Sequence, residues 1–166
     1  LMSNLGMEHA VCALGLEFHR AKVGDRYIME LLKSGGWSLG GETSGHIICL
    51  DLTTTGDGII SALQVLLAIA ASGRSLAELK QGMTKYPQHL VNVRMYKRID
   101  VIGLKPGSDA VREVEAALGD DGRVLLRPSG TEPLVRVMVE GRHDGEVHRL
   151  AHEIAAVVEA AIASAA

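Results

Sequence analysis

The sequence predicts two consecutive layered units, an α/β unit followed by a small α+β unit built on an antiparallel sheet. Three observations point there. Segments near the N-terminus read in the order strand, helix, strand, the signature of an α/β layer with parallel pairing. The pattern breaks at KYPQHLVNVRMY, where Pro87 interrupts it. Beyond the break, the apolar runs VLLR and LVRVMVE flank a short polar loop and lead into a helical stripe.

Taken in order, Leu1 and Met2 end a strand, Ser3 or Asn4 caps a first helix, and Gly15 stops it. LEFHRAKV, residues 16–23, reads as a strand. Asp25 opens a helix with Tyr27, Ile28, Leu31 and Leu32 at helical spacing, closed by Ser34, Gly35 and Gly36. HIICLDL is a short apolar strand. The helix from about Asp57 to Ala71 is apolar almost all round, which predicts packing on more than one side. Ser75 with Glu78 forms a capping-box start for one more short helix. In the second unit, Ser108 begins a helix carrying Val111, Val114 and Leu118 on one face, with Gly119 as its cap. A last helix from Asp144 places Val147, Leu150, Ile154, Val157, Val158 and Ala161 on one stripe.

With 47% hydrophobic, 22% charged and only 3% aromatic residues, the core is expected to be aliphatic. A net charge of -3 gives no general reason to expect nucleic acid as a partner, so any anion site must be local. Cys12 and Cys49 lie far apart in no CxxC arrangement and suit a reducing compartment. No leader-like segment opens the sequence, and the longest apolar run, residues 62–71, is too short to span a bilayer. These features predict a cytoplasmic protein without a membrane partner.

Two loops carry chemistry. In RPSGTEP, Arg127 offers a planar fork of donors suited to phosphate or carboxylate, and Ser129 and Thr131 add hydroxyls. Gly130 lets the backbone turn so that N–H groups converge on an anion. Glu132 argues against an anion there, and a plain hairpin turn explains the same letters. In GGETSGHIICLD, Glu42, Ser44 and His46 alternate and share one face of an extended segment. They suit the vicinal hydroxyls of a sugar, with His46 a candidate for moving a proton near neutral pH; a polar turn ahead of a strand is the alternative. Asp51 and Asp57 invite a magnesium reading, but Asp57 reads better as a helix cap. His148 and His152 stand one helical turn apart with no third ligand in view, and are expected to be solvated.

GETSGH followed by RPSGTEP resembles the α-D-phosphohexomutase superfamily, with the bacterial phosphoglucosamine mutases as the nearest branch. AKVGDRYIMELL, GGETSGHIICLDLTTTGDGIISALQVL, YPQHLVNV and LLRPSGTEPLVRVMVEG carry the resemblance along essentially the whole chain. It implies a partial, three-layer α/β third domain over residues 1–85, a hinge over 86–93 and a C-terminal lid domain over 94–166. The activity it implies is interconversion of glucosamine 6-phosphate and glucosamine 1-phosphate through an enzyme phosphoserine. Glu42, Ser44 and His46 would then contact the sugar, joined by Lys22, Asp25 and Arg26. Arg127, Ser129, Gly130 and Thr131 would grip the phosphate. Asp25 is further expected to meet the amino group of the sugar.

The sequence departs from the family in one respect. No stretch resembles the family's serine motif, TASHNP, or its metal loop, DGDGDR; GDGI at Gly56 and DDGR at Asp120 share letters but not the ligand spacing. The expectation is therefore a C-terminal part of a mutase with magnesium bound outside this chain, no metal ligand within it and no turnover by itself. Its partners would be a phosphorylated amino sugar, the N-terminal domains of the same polypeptide and a possible second copy. A phosphomannomutase or phosphoglucomutase part, or a non-catalytic sugar-phosphate binding module, is the alternative.

Overall fold

A computed structural model describes residues 1–95, 103–130 and 132–165. The chain divides between Thr84 and Lys85 into two compact units.

The first unit begins with helix α1 (Leu5–Ala13), capped by Asn4, whose Oδ1 accepts the Gly6 N–H at 3.1 Å. Residues 16–23, predicted as a strand, form no ladder. They are held instead by side chains: Arg20 donates to Glu8 (Nε–O 2.9 Å) and to the Ser3 carbonyl (2.7 Å). An apolar alternation marks an extended chain but not the partner that would make it a strand.

Helix α2 (Asp25–Gly35) ends at Gly36, whose φ of 69° requires glycine. Strands β1 (Leu39–Gly41) and β2 (Ile47–Cys49) form an antiparallel hairpin. No parallel pair occurs among the described residues, against the parallel layer predicted. Gly40 lets the hairpin lie on α2, since a Cβ there would come within 2.6 Å of Ile28 Cγ2. Ile28, Leu32 and Ile48 make the small core of this unit.

Helix α3 (Gly58–Ser72) is capped by Asp57, which accepts the Ile59 and Ile60 N–H groups at 2.8 and 3.0 Å. The predicted burial of α3 on several sides is not found. None of its residues is buried, and Ile59, Leu66 and Leu67 are 75%, 59% and 60% exposed. A two-stranded hairpin is too small to cover an all-round apolar helix. Such a surface should bind a hydrophobic fluorescent dye in the folded state. Replacing Leu66 and Leu67 by glutamine should lower that fluorescence; unchanged emission would place the dye elsewhere.

The short helix α4 (Leu76–Leu79) has the predicted capping box: Ser75 Oγ accepts the Glu78 N–H, and the Glu78 carboxylate accepts the Ser75 N–H at 2.7 Å. Hydrogen bonds from the Ser75 side chain and backbone hold the Glu78 pKa below its ordinary value. This cap therefore contributes fully above the ordinary carboxylate pKa and is lost as pH falls through the lowered one. No single helix among the described residues is long and apolar enough to cross a membrane.

Among the described residues, the second unit is a three-stranded antiparallel sheet with two helices packed against it. Residues 86–93, expected as a hinge, supply most of strand β3 (Gln88–Arg94), which pairs along its whole length with β5 (Leu134–Gly141). Strand β4 (Gly122–Pro128) pairs with the other edge of β5, giving the order β3-β5-β4. Helix α5 (Lys105–Leu118) starts three residues before the predicted Ser108, with Pro106 in its first turn, and closes at Gly119. Helix α6 (Asp144–Ser164) buries Val147, Leu150, Ile154, Val158 and Ile162, whereas Val157, assigned to the same stripe, is 37% exposed. These side chains pack on Val135, Val137 and Val139 of β5, each fully buried. At about 1.5–3 kcal/mol per buried aliphatic side chain, this cluster is the main source of the second unit's stability.

Candidate functional site

The first candidate site forms where the β1–β2 hairpin meets the N-terminus of α2. Residues 42–45 make a turn rather than the extended segment predicted: the Gly45 N–H donates to the Glu42 carbonyl at 3.0 Å, and the Glu42 N–H to the His46 carbonyl at 2.9 Å. The three polar groups nevertheless converge. Ser44 Oγ lies 3.3 Å from Glu42 Oε2 and 3.1 Å from His46 Nδ1. Glu42 Oε1 is fixed by the Gly24 N–H at 2.5 Å. Gly24 has a φ of 123°, which only glycine adopts readily, and it caps α2 so that the positive end of the helix faces the carboxylate.

Asp25 opens α2, with its Oδ1 3.7 Å from His46 Nδ1. That Oδ1 is buried and has no hydrogen-bond partner. A cavity of about 210 Å³ adjoins it, lined in part by Arg26, Thr54, Thr55 and Gly56. Lys22 and Arg26 both lie over the Tyr27 ring, at 5.8 and 5.1 Å from its centroid, and Arg26 also pairs with Glu30 at 3.1 Å. Sequence reasoning missed Thr54 and Thr55, whose place beside Asp25 depends on the loop after β2.

The resemblance places the metal outside this chain and assigns it no ligand here. That expectation is corrected. Asp25, Glu42 and His46 each contribute one ligand atom to a group lying within 4.8 Å of one another, a candidate metal site in this chain. Two carboxylate oxygens and an imidazole nitrogen, one oxygen unpartnered, fit a divalent cation. Sequence spacing hides the group because Asp25 comes from a helix start and the other two from a hairpin.

The second candidate site is the β4–β5 loop. The Ser129 N–H donates to the Leu134 carbonyl at 2.8 Å, and the Glu132 N–H to Ser129 Oγ at 3.3 Å, so both amides are engaged within the loop. Gly130 has no heavy atom within 4 Å of a Cβ built on it, and Thr131 lies outside the described residues. Arg127 stands directly opposite Arg136 in the β4–β5 register. Like charges in that position repel. The Nε atoms of both are buried without a hydrogen-bond partner. Glu132, the acid that argued against an anion, receives a hydrogen bond from Arg136 at 3.2 Å, so its carboxylate already pairs with one of the two guanidinium groups. Arg136 was missed; the period-2 alternation of LVRVMVE, once the hairpin is in register, puts it on the face of Arg127.

The pair His148 and His152 is joined by His89, edge-on to His148 at 5.0 Å between centroids. His89 in turn bonds Asp144 at 2.8 Å.

Comparison with known proteins agrees with this two-part layout. The family model for phosphoglucomutase/phosphomannomutase, alpha/beta/alpha domain III, matches residues 1–86, and that for the phosphoglucomutase/phosphomannomutase C-terminal domain matches residues 90–157. A phosphoglucosamine mutase of Methylococcus capsulatus is 61% identical over 164 residues, covering 99% of this chain and 37% of that protein. One from Halorhodospira halophila is 60% identical over 165 residues, covering 99% and 36%. The chain thus spans little more than a third of the length of these curated relatives. A solved N-acetylphosphoglucosamine mutase of Aspergillus fumigatus superposes with a TM-score of 0.81 at 21% identity, over 96% of this chain and 37% of that one, a likeness of fold.

Proposed function

Because the chain belongs to the phosphoglucomutase/phosphomannomutase family, we propose that it supplies the sugar- and phosphate-recognition loops of a cytoplasmic mutase interconverting glucosamine 6-phosphate and glucosamine 1-phosphate. The observation that carries this reading is Arg127 facing Arg136 with both Nε groups buried and unpartnered. Two adjacent guanidinium groups, of which Arg136 alone pairs with a carboxylate, favour a doubly charged phosphate, which also supplies acceptors. Ser129 and Gly130, with Thr131, complete the phosphate loop. The identity of 61% to a protein named phosphoglucosamine mutase, along almost the whole chain, supports an amino sugar as the substrate within the family.

In the first unit, Glu42 Oε2 accepts a sugar hydroxyl, and Ser44 Oγ donates to or accepts from its neighbour. The Gly24 N–H holds Glu42 in place for this, so the carboxylate needs little reorganisation on binding. Asp25 Oδ1, lacking a hydrogen-bond partner, receives the ammonium of the amino sugar. His46, bonded to Ser44, is placed to move a proton, and Lys22 and Arg26 add positive charge beside α2. In the family that this chain resembles, magnesium and a phosphoserine supply the phosphoryl-transfer chemistry.

The test is an NMR titration of the chain with glucosamine 6-phosphate. Shifts are expected at Arg127, Ser129 and Gly130 and at Glu42 and Ser44. Arg127→Ala should weaken binding at least about tenfold, a charge-assisted hydrogen bond being worth about 1.5–3 kcal/mol. Equal affinity in that variant would overturn the phosphate assignment. The sequence has no stretch like TASHNP, so the chain with magnesium should not convert glucosamine 6-phosphate. Product detected by coupled assay would sink that expectation.

A further inference from the structure

We propose that Asp25, Glu42 and His46 bind a single divalent ion of the zinc class, and that this ion excludes the amino sugar from the same loop. In this proposal Asp25 Oδ1 and His46 Nδ1 are two of the donors and a carboxylate oxygen of Glu42 is the third. A four-coordinate ion with bonds of about 2.0–2.1 Å needs neighbouring donors about 3.3 Å apart. The Asp25–His46 pair already stands at 3.7 Å, and the ligand atoms of all three residues lie within 4.8 Å of one another.

Three further features favour an ion. Asp25 Oδ1 has no hydrogen-bond partner, so binding costs it none. Glu42 is split between two tasks: Oε1 is held by the Gly24 N–H, which leaves Oε2, now 3.3 Å from the Ser44 hydroxyl, as the ligand atom. His46 has 57% of its side chain exposed, so an ion enters without opening the unit, and water fills the fourth position. The positive end of α2 opposes a cation, and the two carboxylates together outweigh that half-charge. The nitrogen donor sets the selectivity. Imidazole suits zinc, cobalt and copper, whereas magnesium prefers oxygen ligands and keeps its waters.

Exclusion follows because the ion consumes the groups assigned above to the sugar: Glu42 Oε2, and Asp25 Oδ1 for the ammonium. This part rests on the sugar-recognition reading; the metal site itself does not. A zinc-class ion at low concentration would then act as a competitive brake on amino-sugar binding.

The experiment titrates the chain with cobalt(II), read by its visible absorption, and with zinc by calorimetry. His148→Ala and His152→Ala are introduced throughout to remove the helical histidine pair. One ion per chain is expected, with zinc at least tenfold tighter than magnesium. His46→Ala, Glu42→Gln and Asp25→Asn should each weaken zinc at least tenfold while the amide spectrum stays that of the folded chain. Equal zinc affinity in His46→Ala and its parent overturns the site. Glucosamine 6-phosphate should raise the apparent zinc dissociation constant in proportion to its concentration. Simultaneous binding of both ligands overturns the exclusion. If zinc binds and is lost in His46→Ala while the sugar phosphate does not bind at all, the metal site stands and the sugar reading fails. If the sugar phosphate binds and is weakened by Glu42→Gln but zinc is not held, the reverse is true.

Discussion

Replacing Arg123 by methionine should destabilise the second unit by about 3–5 kcal/mol, the usual cost of stranding one member of a buried ion pair. Glu140 is fully buried, and the Arg123 Nε donates to its Oε2 at 2.8 Å from a side chain only 16% exposed. The two residues stand directly opposite on β4 and β5, so the pair is set by strand register rather than by flexible side chains finding each other. Removing Arg123 takes a hydrogen-bonded cation from a carboxylate that is fully out of water. Arg123→Met combined with Glu140→Met should regain most of the loss, because both charges of this pair are then gone. Amide exchange of β5 measures both variants within the unit concerned. A loss under about 1 kcal/mol for Arg123→Met would show that the other contacts of Glu140 carry its charge.

Helices were legible in the sequence because their signals are local. Asn4, Asp57 and the Ser75–Glu78 box are short-range hydrogen-bonding devices, and each caps its helix as read. Strands depend on a partner that local sequence does not name. Residues 16–23 alternate like a strand yet are tied down by Arg20, while Leu39–Gly41, two-thirds glycine and unremarkable as sequence, pairs with β2. The candidate sites divide in the same way. Glu42, Ser44 and His46 were recognisable as a set, although a turn, not strand alternation, gathers them. Arg136 needed the β4–β5 register before it could be seen across from Arg127. The convergence of Asp25 with Glu42 and His46 needed α2 to be docked on the hairpin, a tertiary fact with no trace in the spacing. Burial of α3 was misjudged because an apolar composition says what a helix would prefer to cover, not what lies beside it.

Two glycines in helices should respond to the same substitution with opposite signs. Gly6, in the first turn of α1, faces the Thr84 carbonyl, and a Cβ there would overlap the carbonyl oxygen and lie 3.0 Å from its carbon. The obstacle is backbone, so no rotamer change relieves it, and α1 must move away from the end of its own unit. The Cβ would also meet Asn4 Oδ1 at 3.1 Å, crowding the cap that holds the helix start. Overpacking of this kind costs about 3 kcal/mol. Gly58, the first residue of α3, has nothing within 4 Å of a Cβ and is not among the glycines of positive φ. Alanine there restricts the unfolded chain and should add about 0.5–1 kcal/mol. Denaturant unfolding of Gly6→Ala and Gly58→Ala, followed by amide signals of the first unit, compares them directly. Equal, small effects would mean that α1 is not seated against Thr84. Loss in Gly6→Ala with gain in Gly58→Ala would establish that the two ends of the first unit are locked together through one close backbone approach.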